Sequence, residues 1–298
     1  MVDAYNLVFA ALLLTSGSLS DRFGRKGMLL AGLAVFGVAS FVGGYATSPA
    51  GLIAARAVMG LGAAMTFPAT LSLLTGAFTG RKERALAIGL WGVTAGMAIA
   101  LGPIVGGLLL GHYSWSSIFY TLGPVSLAVI ALAARFVPGS KDPAPSGLDF
   151  PGLFLSSAFM GLLVYTIIEA PGRGWTSAPS LLGFAGAAAA LIAFIVGERR
   201  TDRPMLDVRI FANMRFSAAS ASVTIAFFTL SGFIFLMTQY FQFVRGYSPL
   251  SVSAPRSSSP RGWPCRRAST SGWSATSRPR SATASSLSRW SSTDWAWA

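Results

Sequence analysis

Apolar residues fill this chain in long blocks, and polar positions gather in short breaks between them. Eight blocks stand out, at about 2–20, 27–47, 50–79, 82–111, 115–137, 149–170, 179–198 and 216–244. A hydrocarbon core about 30 Å thick needs roughly 20 apolar residues of helix per crossing. Backbone groups in lipid must be bonded within their own segment, so each block predicts a helix. A soluble bundle of eight helices would show a polar stripe on most of them, and none is evident. The third and fourth blocks are long enough to tilt or to protrude from the bilayer. The expected fold class is all-α, a polytopic membrane bundle of about eight transmembrane helices.

Composition agrees. The 298 residues are 53% hydrophobic and only 11% charged, against about 25% charged residues in a soluble domain. So few charges cannot cover a folded surface in water. One Cys and one His exclude a disulfide framework and most metal or acid–base designs. No catalytic triad, paired catalytic carboxylates, phosphate loop or metal-ligand cluster is present, so the sequence predicts no enzyme and no cofactor.

The net charge of +13 changes meaning once it is located. The odd-numbered breaks hold thirteen cations: Arg22, Arg25, Lys26, Arg81, Lys82, Arg84, Arg135, Lys141, Arg199, Arg200, Arg203, Arg209 and Arg215. The even breaks hold Arg173, and Arg245 follows the last block. Thirteen against two places the odd breaks in the cytoplasm. This is a topology pattern, not a nucleic-acid stripe. It leaves the N-terminus outside, without a signal peptide to export it. The chain therefore reads as beginning one helix late, from a start further upstream or a truncated gene.

After Val252 the character changes. The last 46 residues include 14 Ser, 7 Arg and 5 of the 8 Trp, with no Ile, Val, Phe or Tyr. A shifted reading frame in GC-rich DNA accounts for this composition. A genuine disordered tail and a binding tail are the alternatives.

Three motifs carry chemistry. The first break reads Gly17-Ser18-Leu19-Ser20-Asp21-Arg22-Phe23-Gly24-Arg25-Lys26. Gly24 permits a tight turn. Arg25 and Lys26 anchor the loop inside, and Asp21 accepts hydrogen bonds from Arg side chains or helix amides. Gly17 lets a neighbouring helix approach. The third block holds Leu52, Arg56, Gly60, Gly62, Ala63 and Ala64. Arg56 lies roughly 9 Å inside the outer boundary at 1.5 Å per residue. A guanidinium at that depth marks a functional site unless it snorkels to the headgroups. Asp3 is placed to face it, although a hydrated entry position is the plainer reading. The fourth block reads Gly89-x8-Ala98-x3-Gly102-Pro103-Ile104-Val105-Gly106-Gly107. Pro103 removes a backbone hydrogen bond, and the glycines strip side chains from one face for close packing. His112 and Glu169 read as exposed or interfacial.

Taken together these segments resemble the signatures of the major facilitator superfamily. Leu148-Asp149-Phe150-Pro151-Gly152, Gly172-Arg173-Gly174-Trp175, Glu198-Arg199-Arg200 and Arg203-Pro204-Met205-Leu206-Asp207 narrow the resemblance to the fourteen-span drug:proton antiporters of the EmrB/QacA type, over about residues 1–250. The resemblance implies a gating latch at Gly17, Asp21, Arg22, Gly24, Arg25 and Lys26. It implies proton coupling near Arg56, with Asp3 as a companion candidate, and an antiporter motif at Gly89, Gly102, Pro103, Gly106 and Gly107. Departures are Met59 in place of Gln, Ala98 in place of Gly, and Ser116 in place of Arg.

The organisation that follows is a first bundle lacking its first helix at 1–137. Two extra linker spans and a cytoplasmic loop occupy 138–215. The first helix of a second bundle occupies 216–250, and an out-of-frame tail 251–298. The implied function is proton-driven export of amphipathic or cationic drugs across a bacterial plasma membrane. Its partners are those drugs, protons and the bilayer, with no nucleic acid. The alternative is a non-transporting membrane remnant or interaction protein.

Overall fold

The computed structural model describes residues 2–139, 149–201 and 206–244. Eight long helices follow one another: α1 (Val2–Phe23), α2 (Arg25–Gly44), α3 (Pro49–Ala77), α4 (Arg81–His112), α5 (Ser116–Phe136), α6 (Phe150–Arg173), α7 (Ala178–Arg200) and α8 (Met214–Gln239). A short 3₁₀ turn (Val208–Ala212) precedes α8, and a π turn (Tyr240–Val244) follows it. The all-α expectation holds. Among the described residues seven helices, α2 to α8, are long and apolar enough to cross a membrane, in keeping with a bundle of about eight. Helix α1 has the length but is more polar, with Asp3 in its first turn, a Thr15-Ser16-Gly17-Ser18 run, and Asp21 and Arg22 at its end. Residues 251–298 lie outside the described residues, so the reading of the tail has no structural counterpart.

Local chemistry sets the helix ends. Ser48 accepts a hydrogen bond from the Gly51 amide at 3.2 Å, and Asp149 accepts one from the Gly152 amide at 3.0 Å. Each satisfies an otherwise unpaired first-turn donor. Prolines sit in the first turns of α3, α6 and α7, where no amide hydrogen is needed. Between α1 and α2 the turn is a single residue, Gly24, at φ 104°. A side chain is strained at that angle.

Small residues let the helices approach. A Cβ at Gly32 of α2 would lie 2.8 Å from the Gly62 carbonyl oxygen of α3, and one at Gly62 would lie 2.7 Å from the Gly32 oxygen. A Cβ at Gly60 would lie 2.5 Å from the Tyr5 oxygen of α1. These contacts bind α1, α2 and α3 into one packed unit. Helix α5 joins through Ser40, whose hydroxyl donates to the Phe119 carbonyl at 3.0 Å, and Tyr120, whose hydroxyl donates to the Gly44 carbonyl at 2.8 Å. Lipid tails are as apolar as leucine, so such close packing and hydrogen bonding must supply the cohesion.

Helices α6 and α7 form a pair, and α6 also packs on α1. There the Thr15 and Ser157 hydroxyls are 2.7 Å apart, and Thr15 also contacts the Leu153 carbonyl at 3.3 Å. Helices α4 and α8 differ from the rest. Helix α4 buries only Ala87 and Gly107, and α8 buries no residue.

Candidate functional site

The loop joining α1 to α2 ties four helices together at one end of the bundle. The Arg25 Nε donates to Asp21 Oδ1 at 3.0 Å, one helical turn away. Ser72 of α3 donates to the same oxygen at 3.3 Å. Lys26 Nζ donates to the Ala134 carbonyl at 2.9 Å. That carbonyl belongs to the last turn of α5, where four oxygens lack helical partners and the helix dipole favours a cation. Arg22 is exposed in the last turn of α1, where its charge also complements the dipole. Gly24 is buried and supplies the turn. Gly17 is corrected in its reason. A Cβ there would meet Pro68 at 3.7 Å, an ordinary contact, so close approach does not require glycine at this position.

Arg56 sits half-buried on α3. Its guanidinium lies over the Phe119 ring of α5, 5.0 Å from the centroid. Tyr5 of α1 packs on the same cluster, with Met59, Ala39 and Phe119 at its centre. Arg56 is therefore held against the face of Phe119. Asp3 is exposed in the first turn of α1, the helix that also carries Tyr5.

The glycine face of α4 is also corrected. At Gly89, Gly102 and Gly106 an added Cβ would meet nothing within 4 Å. Only Gly107 is buried. Among the described residues nothing packs closely against any of those three glycines. Pro103 lies inside α4, and the helix runs on past it to His112. His112 is exposed and bonds the Leu108 carbonyl at 3.0 Å, while Glu169 pairs with Arg173 at 3.0 Å.

A string of rings crosses three helices and leaves no motif along the chain. Tyr5 stacks on Phe9 at 6.1 Å, Phe9 meets Phe67 edge-on at 5.9 Å, and Phe67 meets Trp91 at 5.3 Å. It is the clearest link between α4 and its neighbours. Ser72 was also missed, because a lone serine in an apolar block has no motif. Periodicity placed it on the correct helix but could not show that it reaches Asp21.

Apolar helices joined by a charged loop, with small-residue packing inside, define a multi-pass membrane bundle. The chain belongs to the Major Facilitator Superfamily, whose family model matches residues 1–260. It is 39% identical over 252 residues to the multidrug efflux pump LfrA of Mycolicibacterium smegmatis, covering 85% of this chain and 50% of that protein. It is 36% identical over 249 residues to the multidrug resistance protein Stp of Mycobacterium tuberculosis, covering 84% of this chain and 46% of Stp. It is 35% identical over 252 residues to the methyl viologen resistance protein SmvA of Salmonella typhimurium, covering 84% of this chain and 50% of SmvA. The chain spans about half the length of these curated relatives.

Proposed function

We propose that this chain is part of a multidrug exporter that exchanges protons for amphipathic or cationic drugs across a bacterial plasma membrane. The observation that carries the reading is the bonded loop, in which Asp21, Arg25, Ser72 and Lys26 join α1, α2, α3 and α5. Superfamily membership and relatives named for multidrug efflux support it. Substrate would bind between two bundles near the bilayer middle, with the loop latching one of two states. Arg56, inside its aromatic surround, would tune the protonation of an acid brought near it, with Asp3 a weaker candidate for that acid. The energy source would be the proton gradient, with no bound cofactor. On this reading residues 1–137 form the bundle, 138–215 the linker spans and 216–250 the start of a second bundle.

A second reading is favoured by the open face of α4 and the unburied α8: alone, the chain is a membrane protein that does not transport. Dye efflux in cells lacking other pumps separates the two. Protonophore-sensitive efflux by the 298-residue chain supports the first. Efflux that appears only when a complementary second half is co-expressed assigns transport to the assembly. No efflux under either condition overturns the exporter reading.

A further inference from the structure

A crevice lined by α2, α3, α4 and α5, at the end of the bundle that carries the Asp21 loop, has an apolar floor. It has a volume of about 560 Å³ and is lined by Leu29, Thr70, Leu73, Leu74, Trp91 and Phe136. Thr70 adds no free polar group, because its hydroxyl already donates to the Phe67 carbonyl at 2.7 Å. Trp91 lies ten residues into α4, about 15 Å from the helix start at 1.5 Å per residue. The crevice therefore extends well along α4 from its charged start. Its lining is almost wholly apolar, which suits an acyl chain better than a hydrated solute.

Cations follow closely in sequence on its lining residues. Arg81 and Lys82 begin α4 four and five residues after Ala77, which lines the crevice, and both are exposed. Arg135 is exposed at the end of α5, with its guanidinium 5.6 Å from the centroid of the Phe136 ring. None of the three is in an ion pair among the described residues. The acidic group on this rim among them is Glu83, leaving positive charge in excess. Lys26 is already engaged at Ala134. Unpaired cations at the headgroup level attract anionic lipid, and the effect grows with each Arg or Lys.

We propose that this crevice binds one anionic phospholipid, with an acyl chain along Leu73, Leu74 and Trp91 and its phosphate at Arg81, Lys82 and Arg135. The inference is independent of drug export. It assigns to α4, which is poorly held by protein, a lipid as its third neighbour.

Quenching of Trp91 fluorescence tests it. The full chain is placed in nanodiscs of phosphatidylcholine and phosphatidylglycerol, with bromine on the acyl chains of one lipid or the other. The Trp91 component is the difference from Trp91→Phe. Brominated phosphatidylglycerol should quench it at mole fractions lower by on the order of tenfold than brominated phosphatidylcholine. Arg81→Gln/Lys82→Gln/Arg135→Gln should remove that preference while helix content by circular dichroism is unchanged. Leu74→Phe fills the crevice with these cations intact and should also remove it. Equal quenching by the two lipids in the unaltered chain overturns the proposal. So does a preference that survives Leu74→Phe, which would mean diffuse surface charge in place of a site.

Discussion

Ser72 of α3 reaches the Asp21 carboxylate of α1 across 51 residues of sequence, at 3.3 Å. Asp21 Oδ1 thus receives one bond from Arg25 at the start of α2 and one from Ser72 of α3. The loop is a junction as well as a turn, and a change at Asp21 is felt by α3 directly.

The energy at stake there is small, because Asp21 is about half exposed. An exposed pair of this spacing contributes about 0.3–0.5 kcal/mol. Asp21→Asn should therefore leave helix content intact and lower the thermal midpoint only slightly. In an efflux-competent assembly it should slow turnover with less effect on drug binding. Loss of folding would show instead that the loop is a structural keystone.

Glycines that share a motif pattern should respond in opposite ways. Gly62→Ala places a Cβ against the Gly32 carbonyl and should destabilise the α2–α3 contact by about 1–3 kcal/mol, the usual cost of overpacking. Gly24→Ala should cost about 1–2 kcal/mol through its positive φ. Gly89→Ala meets nothing and should be neutral or stabilising by up to about 1 kcal/mol, from helix propensity alone. Thermal unfolding in one detergent ranks the three. A large loss at Gly89 would mean that α4 has a partner in solution.

Arg56→Ala should abolish protonophore-sensitive efflux in an assembly that transports, while leaving drug binding measurable. Arg56→Lys keeps the charge but loses the planar group that lies over Phe119, and should recover only part of the coupling. Normal coupled efflux by Arg56→Ala would indicate that the side chain merely reaches toward the headgroups.

Topology is tested by cysteine labelling after Cys265→Ser. Thr176→Cys, in the turn between α6 and α7, should react with a membrane-impermeant maleimide on intact cells. Ser140→Cys, between α5 and α6 and outside the described residues, should react only after permeabilisation. The reverse pattern would invert the bundle.

The helices were legible because the bilayer imposes a length on every crossing. The block 82–111 became Arg81–His112, and 27–47 became Arg25–Gly44. Partnerships were far less legible. Glycine stands amid apolar residues at Gly32, Gly62, Gly89 and Gly102 alike, yet two are in contact and two stand open. A motif records which residues can be approached and does not record whether anything approaches. Lys26 to Ala134 and Thr15 to Ser157 span more than 100 residues and leave no periodic trace. The aromatic setting of Arg56 was hidden for the same reason, since Tyr5 and Phe119 belong to different blocks.

The Thr15–Ser157 contact bears on how the protein is made. Helix α1 enters the membrane long before α6 is synthesised, and its hydroxyl face must wait in lipid. Thr15 can meanwhile turn its proton back to its own helix, so waiting costs little. When the α6–α7 hairpin arrives, an exchange of one hydroxyl partner for another distinguishes α1 from the surrounding tails. Such an exchange yields only about 0.6 kcal/mol for a typical interhelical bond, enough to bias docking but not to make it irreversible. The late hairpin can therefore sample and correct its seat on the bundle during biogenesis. Thr15→Val/Ser157→Val should still insert every helix, with α6 losing its register on α1, a loss that disulfide formation between Ala11→Cys and Gly161→Cys would report.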